Sequence, residues 1–532
     1  MQGRNKPGRG RRMFFAEQNQ KVSKDHIILD GFSLTLEDVE QVAGGDASVS
    51  LSDEAKRCIQ SSRNCILSTI QEGKRIYGVN TGFGALSNVV ISSDQIAELQ
   101  ENLIRSHCTG IGEPFREEVV RAMMLLRANL FARGNSGVRL KLVQTLLDLL
   151  NNRVHPVIPR KGSVGASGDL APLAHLASVL IGEGEARHRG KLLGGAEALR
   201  QAGLSPIRLE AKEGLAMING TQAMTACGSL ALLKAERLSR VADVVGAATL
   251  DALRGTLTAF DLDIQAARPH PGQMKVAKNF HRLMEQSEIT ISHKDCPRIQ
   301  DAYSLRCIPQ VHGAVRDVLD YVRKVLSVEI NSATDNPLVF PEQNKVESGG
   351  NFHGEPVAFA MDFLGIAMSE LGGISERRIE KLLNPLFSEL PPFLTDKGGL
   401  HSGLMMVQVS AAALASENKI LASPASVDSI PTSSDKEDHV SMGTIAAQKA
   451  VEIIENVEHI LAMEILASSQ GLYFLKPLKP GIGIQAAYRI IREVVPPVTV
   501  DRRFHKDISA IRDLIESGKL LAEVESVSGT LL

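Results

Sequence analysis

Residues 163–169 read Ser-Val-Gly-Ala-Ser-Gly-Asp, and the triplet Ala166-Ser167-Gly168 at their centre has the makings of an electrophile. Attack of the Gly168 nitrogen on the Ala166 carbonyl needs a tightly bent chain and an unhindered attacking residue, and glycine supplies both. Loss of water from the new ring and from the Ser167 side chain would leave a conjugated methylidene-imidazolone. That carbon electrophile is unlike anything the twenty side chains offer, and its natural partner is an amine. The same residues also fit a plainer reading: a turn and helix N-terminus ahead of the apolar run Leu170 to Leu180, or an anion-binding nest with Asp169 as a cap.

The longer string Gly162-Ser163-Val164-Gly165-Ala166-Ser167-Gly168-Asp169-Leu170-Ala171-Pro172-Leu173-Ala174-His175 resembles the cofactor-forming segment of the histidine and aromatic amino-acid ammonia-lyases and aminomutases. The resemblance runs from about Ile27 onward, through further blocks in the family's order. It implies a methylidene-imidazolone made autocatalytically from Ala166, Ser167 and Gly168, with Asp169 helping the ring close and no external cofactor or metal. The fourteen histidines form no ligand-like cluster on a single expected face.

Removing ammonia from an α-amino acid means improving a poor leaving group and taking a weakly acidic β-hydrogen, so the electrophile needs companions. Tyr77 in Tyr77-Gly78-Val79-Asn80-Thr81-Gly82-Phe83-Gly84 matches the family's tyrosine loop and is expected to be the base; its plainer role is to anchor a turn. A phenol ordinarily ionises near pH 10, so such a base asks for about 3 kcal/mol of phenolate stabilisation near neutrality, part of it from the loop's backbone donors. In Gln300-Asp301-Ala302-Tyr303-Ser304-Leu305-Arg306, a second block resembling the family, the guanidinium of Arg306 suits a carboxylate, while Tyr303 and Gln300 would line the site, the tyrosine as a catalytic group donating to the captured amine or stabilising charge during elimination. The alternative for Arg306 is a surface salt bridge. By the same resemblance, Asn219 bonds the substrate carboxylate or the imidazolone oxygen with Gln222 in support, against helix capping as the competing role. Phe352 would wall the electrophile or simply pack in the core.

Substrate choice rests on fewer residues. His107 sits where the family reads the distal end of its substrate and suits a polar ring. Glu417, in Ala415-Ser416-Glu417-Asn418-Lys419, resembles the histidine-selective branch; a phenyl ring would leave that carboxylate unpaired at a cost of about 1–3 kcal/mol. Its competing role is a helix-surface pair with a neighbouring lysine. The strings Pro424 to Ser433 and Glu437 to Gly443 also look like the histidine branch, with Ser423 and Asp435-Lys436 departing from its usual pattern. The expected reaction is elimination of ammonia from L-histidine to give trans-urocanate, the opening step of histidine degradation. A tyrosine or phenylalanine ammonia-lyase or aminomutase, and more remotely a silent helical scaffold, are the alternatives.

These blocks must be brought together by the rest of the chain. After residue 221 the sequence changes to long helix-forming runs: Met224 to Ala248, Val311 to Val328, Pro356 to Leu383, Met405 to Leu421 and Ile445 to Gln470. Apolar residues recur at three and four, as in Ile453, Ile454, Val457, Ile460 and Leu461. The expected fold is mainly α, with a loop-rich N-terminal cofactor-forming domain over residues 26–220 and a long antiparallel helical bundle with a C-terminal helical region over 221–532. Residues 1–25 read as a basic, disordered leader. Gly372-Gly373 marks a kink or a close helix contact, and Thr35 with Asp38 a capped helix start.

Several runs are apolar on more than one face, as if covered by other subunits, and the resemblance implies a homotetramer; because blocks more than 100 residues apart must converge, shared sites are expected. At 532 residues with 43% hydrophobic and 23% charged composition, the chain is large enough for more than one folding unit, and a formal net charge of -2 exerts no global pull on nucleic acid or membrane. No apolar stretch of about 18 residues escapes polar interruption, so no membrane span is expected. Six scattered cysteines lack zinc-site spacing and fit buried thiols in a reducing cytoplasm.

Overall fold

The computed structural model describes residues 25–294 and 299–532. Except for Asp25, the expected leader lies outside the described residues, as does Cys296. The expected short strand is present as His26–Leu29, paired in parallel with Ser48–Leu51. Thr35 and Asp38 form the reciprocal cap of helix Leu36–Gly44, each side chain accepting from the other's backbone N–H at 3.1 Å.

The five apolar runs fold as long helices: α1 (Gln222–Ala252), α2 (Ile308–Glu329), α3 (Glu355–Leu383), α4 (Met405–Leu421) and α5 (Gly443–Phe474). Ile453, Ile454, Val457, Ile460 and Leu461 are all buried, as their spacing requires. One continuous apolar core runs from Ile27 to Leu531.

The cross-helix contacts fix the helix directions. Gly365 faces Ile453, Gly372 faces Val457 and Ile460, and Ser375 bonds Glu464, so α3 and α5 run the same way. Lys234 pairs with Glu458 and Thr249 with Glu464, which adds α1 to the same parallel set. The expected antiparallel packing holds for α2, whose Glu329 meets Thr221 while its His312 and Arg316 reach Asp243 farther along α1. It holds too for α4, whose Gln408 bonds Glu376 and whose Asn418 lies beside Gly372. Helix α3 continues unbroken through Gly372-Gly373; a Cβ on Gly372 would lie 3.1 Å from Val457, so this pair marks a close helix contact and not a kink.

Buried charges lock the register. Arg378 forks onto Glu464 at 2.6 and 2.8 Å, and Asp243 accepts from His312 and Arg316, both at 2.8 Å. Helix α3 is long and apolar enough to cross a membrane, but two thirds of its apolar window (67%) is buried against other helices, as in a core helix. Among the described residues Cys58, Cys65, Cys108, Cys227 and Cys307 are free thiols; burial pushes Cys227 up to about 12.

Candidate active site

The triplet sits in a bend between strand Pro159–Lys161 and helix Leu170–Leu180. Gly168 adopts φ +78° and is pinned to Gly220: Asp169 N–H donates to the Gly220 carbonyl at 2.7 Å, and Gly220 N–H donates to the Ser167 carbonyl at 3.2 Å. A Cβ on Gly168 would lie 2.2 Å from the Gly220 oxygen, so only glycine fits here. Ala166 packs in a small cluster with Val440 and Met442, and Met442 N–H bonds the Val164 carbonyl.

Asp169 is fully buried and caps a helix, but not the one it precedes. Its Oδ2 accepts from Ala223 N–H and Met224 N–H at 2.8 and 2.9 Å, closing the first turn of α1, while its Oδ1 accepts from Ser163 and from Thr444 at the start of α5. Burial raises its carboxyl above the ordinary range despite these donors. The start of α3 reaches the same place, since a Cβ on Gly354 would touch Met224 and Ser441. Three long parallel helices thus aim their N-termini at the bend. Each such end carries about half a positive charge, which favours negative charge at the bend and draws electron density from it.

Glu437 closes this corner, and no local pattern in the sequence marks it as a site residue. Its Oε1 accepts from the Ser167 hydroxyl at 3.2 Å, while Thr432 and Ser433 donate to Oε2 at 2.7 and 3.0 Å. His107 lies close enough to feel its charge: burial lowers the imidazole, and Glu437 opposes that shift. The His107 ring bonds the Leu103 carbonyl at 2.8 Å. The tyrosine loop abuts the same corner. Gly84 N–H donates to the Tyr77 phenol oxygen at 3.1 Å, and a Cβ on Gly84 would face the Ser433 hydroxyl.

Asn219, next to Gly220, is buried at the end of the short helix Glu213–Ile218; its Nδ2 donates to the Asn336 carbonyl at 3.2 Å and its Oδ1 has no partner. It caps no helix through its side chain. Gln222 donates to Thr334 at 3.0 Å, and its Oε1 is likewise unpaired. Phe352 is half-buried on the loop leading to Gly354. The histidines also do something their spacing hid: His353, Glu355 and His439 hold their ligand atoms within 4.8 Å of one another, a group able to grip a cation. The convergent helix N-termini work against positive charge there.

Two expected groups are not brought to the bend within one chain. Glu417 is exposed on α4 and accepts from Asn456 at 3.2 Å, twelve residues along α5 from Thr444, or about 18 Å at helical rise. Among the described residues no lysine pairs with it. The Gln300–Arg306 segment lies at the far end of α1, where Asp301 accepts from Thr256 N–H at 2.8 Å. With Asp169 at the first turn of α1, the 31-residue helix separates the two by about 46 Å. There Gln300 is exposed, Tyr303 is 71% exposed, and Arg306 stacks on the Tyr303 ring at 4.5 Å with its Nε buried and unpartnered.

Fold and site together define a class, the predominantly helical carbon–nitrogen lyases, and comparisons with known proteins agree. The family model described as aromatic amino acid lyase matches residues 34–493. A histidine ammonia-lyase from Caldanaerobacter subterraneus subsp. tengcongensis is 56% identical over 506 residues, 95% of this chain and 99% of its own. The crystal structure of histidine ammonia-lyase from Trypanosoma cruzi superposes with a TM-score of 0.88 at 44% identity, covering 94% of this chain and 95% of that one. Tyrosine aminomutase from Streptomyces globisporus superposes at 0.89 with 39% identity, covering 94% and 98%. The chain belongs to the aromatic amino acid lyase family.

Proposed function

We propose that this enzyme eliminates ammonia from L-histidine to give trans-urocanate. The observation that carries the reading is the Glu437 carboxylate bonded to the Ser167 hydroxyl, its charge felt by the His107 imidazole. Dehydration of Ser167 would free that oxygen for a donor on the substrate ring, and an imidazole supplies one where a phenyl ring does not. Relatives named histidine ammonia-lyase at 50–56% identity over nearly the whole chain support the same choice.

The bend fits a methylidene-imidazolone made from Ala166, Ser167 and Gly168: the attacking residue has no Cβ, its φ is positive, and the segment is held by backbone bonds on one side and Asp169 on the other. Such a group supplies a carbon electrophile for the substrate amine. The remaining steps fall to side chains of the chain itself. Tyr77, with Gly84 N–H at its oxygen, takes the β-proton. Glu437 and His107 hold the imidazole. Asn219, with Gln222 beside it, offers a buried amide to the substrate or to the ring oxygen, and Phe352 walls the pocket.

Arg306, Tyr303 and Gln300 complete the site from a second copy, Arg306 binding the substrate carboxylate. Their separation from the bend along α1 supports a homotetramer with shared sites. So do exposed apolar rows: Phe359, Phe363 and Ile366 along α3, and Met406 and Val409 along α4. Residues 26–220 would form the electrophile-bearing unit and 221–532 the helical one, and the enzyme would work in the cytoplasm. Incubating pure protein with L-histidine, L-tyrosine and L-phenylalanine, and following urocanate, cinnamates and β-amino acids, tests the proposal. Urocanate is the expected product; cinnamate or β-amino acid without urocanate would move the chain to the lyase or aminomutase alternatives.

A further inference from the structure

Beneath Asn219 lies an ion pair that takes no part in the chemistry described above. Lys212 Nζ meets Asp335 Oδ2 at 2.7 Å with both side chains completely buried. Lys212 stands at the head of the helix Glu213–Ile218, whose other end carries Asn219, and it adopts a left-handed φ of +76° that a residue with a side chain rarely takes. Asp335 begins the turn that receives the Asn219 amide: its Oδ1 accepts from Asn336 N–H at 2.7 Å, and the Asn336 carbonyl accepts from Asn219 Nδ2 at 3.2 Å. Thr334, one residue earlier, accepts from Gln222 at 3.0 Å, and Asn336 Oδ1 accepts from Gly349 N–H at 2.8 Å. Arg127, also fully buried, donates to the carbonyls of Ala216 and Asn219 at 2.9 and 2.8 Å and ties down the helix end. The pair therefore braces two segments whose contact decides where the free Asn219 oxygen points.

A buried ion pair contributes little net stability over a well-packed apolar pair of the same volume, so a scaffold gains little from it. What it does supply is a fixed separation and direction between the two segments. We propose that Lys212 and Asp335 are positioning residues, holding the Asn219 amide beside the Ser167–Gly168 bend. The proposal rests on the reading of Asn219 as a substrate-side group.

The test is a charge-free double variant, Lys212→Met with Asp335→Leu, compared with Asn219→Ala alone and with the triple combination. Folding is checked by circular dichroism and elution volume, and ring closure by the loss of two waters in intact mass. The expected result is a folded, ring-closed protein whose kcat/KM for L-histidine falls about 10–100-fold, as for misplacement on the ångström scale, with no further fall when Asn219→Ala is added. The loss is expected in kcat more than in KM. Parental kcat/KM in the double variant, or losses that multiply in the triple, would overturn the proposal. Asp335→Glu keeps both charges and displaces the turn by one methylene, so the same two criteria apply if the double variant does not fold. Parent turnover is measured first. A parent that makes no urocanate counts against the functional reading, whereas an active parent with an indifferent Lys212–Asp335 pair counts against this one alone.

Discussion

Replacing Glu437 by Gln isolates the contact on which the proposed substrate choice rests. Thr432 and Ser433 already occupy Oε2 at 2.7 and 3.0 Å, so the side chain is held in place whatever fills the pocket. The proposed ring closure would remove the Ser167 hydroxyl now 3.2 Å from Oε1, leaving that oxygen for a single substrate donor. A hydrogen bond to a charged group contributes about 1.5–3 kcal/mol, which converts to about a 10- to 150-fold change in kcat/KM. The glutamine keeps its shape but turns an NH2 towards the imidazole N–H, so the loss should sit near the upper end. Urocanate absorbance gives the rates for the parent, for Glu437→Gln and for Glu417→Gln. The expected pattern is a large loss for Glu437→Gln on L-histidine and none of comparable size on L-phenylalanine, with Glu417→Gln reporting whether a second copy brings Glu417 to the same ring. If Glu417→Gln carries the loss while Glu437→Gln matches the parent, this account of specificity is wrong.

Other outcomes follow from the same geometry. Tyr77→Phe should fold normally and close its ring yet lose about 10²–10⁴-fold in kcat, the range for a general base; retention of turnover would remove the phenol from the proton step. Gly168→Ala must place a methyl 2.2 Å from the Gly220 carbonyl, so intact mass should show no loss of two waters; a closed ring would refute the pinned-bend argument. Mixing inactive Ser167→Ala and Arg306→Ala chains under exchange conditions should restore part of the activity if, as proposed, Arg306 crosses the span of about 46 Å along α1 by serving the bend of a second copy; strict absence of rescue would count against shared sites. Burial lowers the His312 imidazole below its ordinary 6.5, so the unfolded chain takes up a proton that the folded chain refuses. Its share of stability is complete above pH 6.5 and is lost as the pH falls through the lowered value. His312→Asn should therefore flatten the acid side of a Tm–pH curve, and an unchanged slope would exclude this histidine as its source.

The long helices were legible because periodicity is local: Ile453, Ile454, Val457, Ile460 and Leu461 declare a buried face without reference to the rest of the chain. The Thr35–Asp38 cap spans four residues and was equally plain. Partnerships between distant segments were not. Glu437 reaches Ser167 across 270 positions through a loop with no period, whereas Glu417 lies on a readable helix. Asp169 looked like a cap for the helix it precedes, but its oxygens serve a helix that starts more than fifty residues later. The His353–His439 approach joins two loops 86 residues apart, where neither segment alone suggests a cluster. Lys212 and Asp335 were invisible for the same reason, since nothing in a lone lysine says that it will be buried.

Helix α1 has one further consequence. If its first turn supports the reacting bend of one centre and its far end delivers Arg306 to another, each rod belongs to two reaction chambers at once. A subunit set free by dilution would then carry halves of different centres and complete none, and turnover per chain should collapse together with the assembly instead of fading site by site.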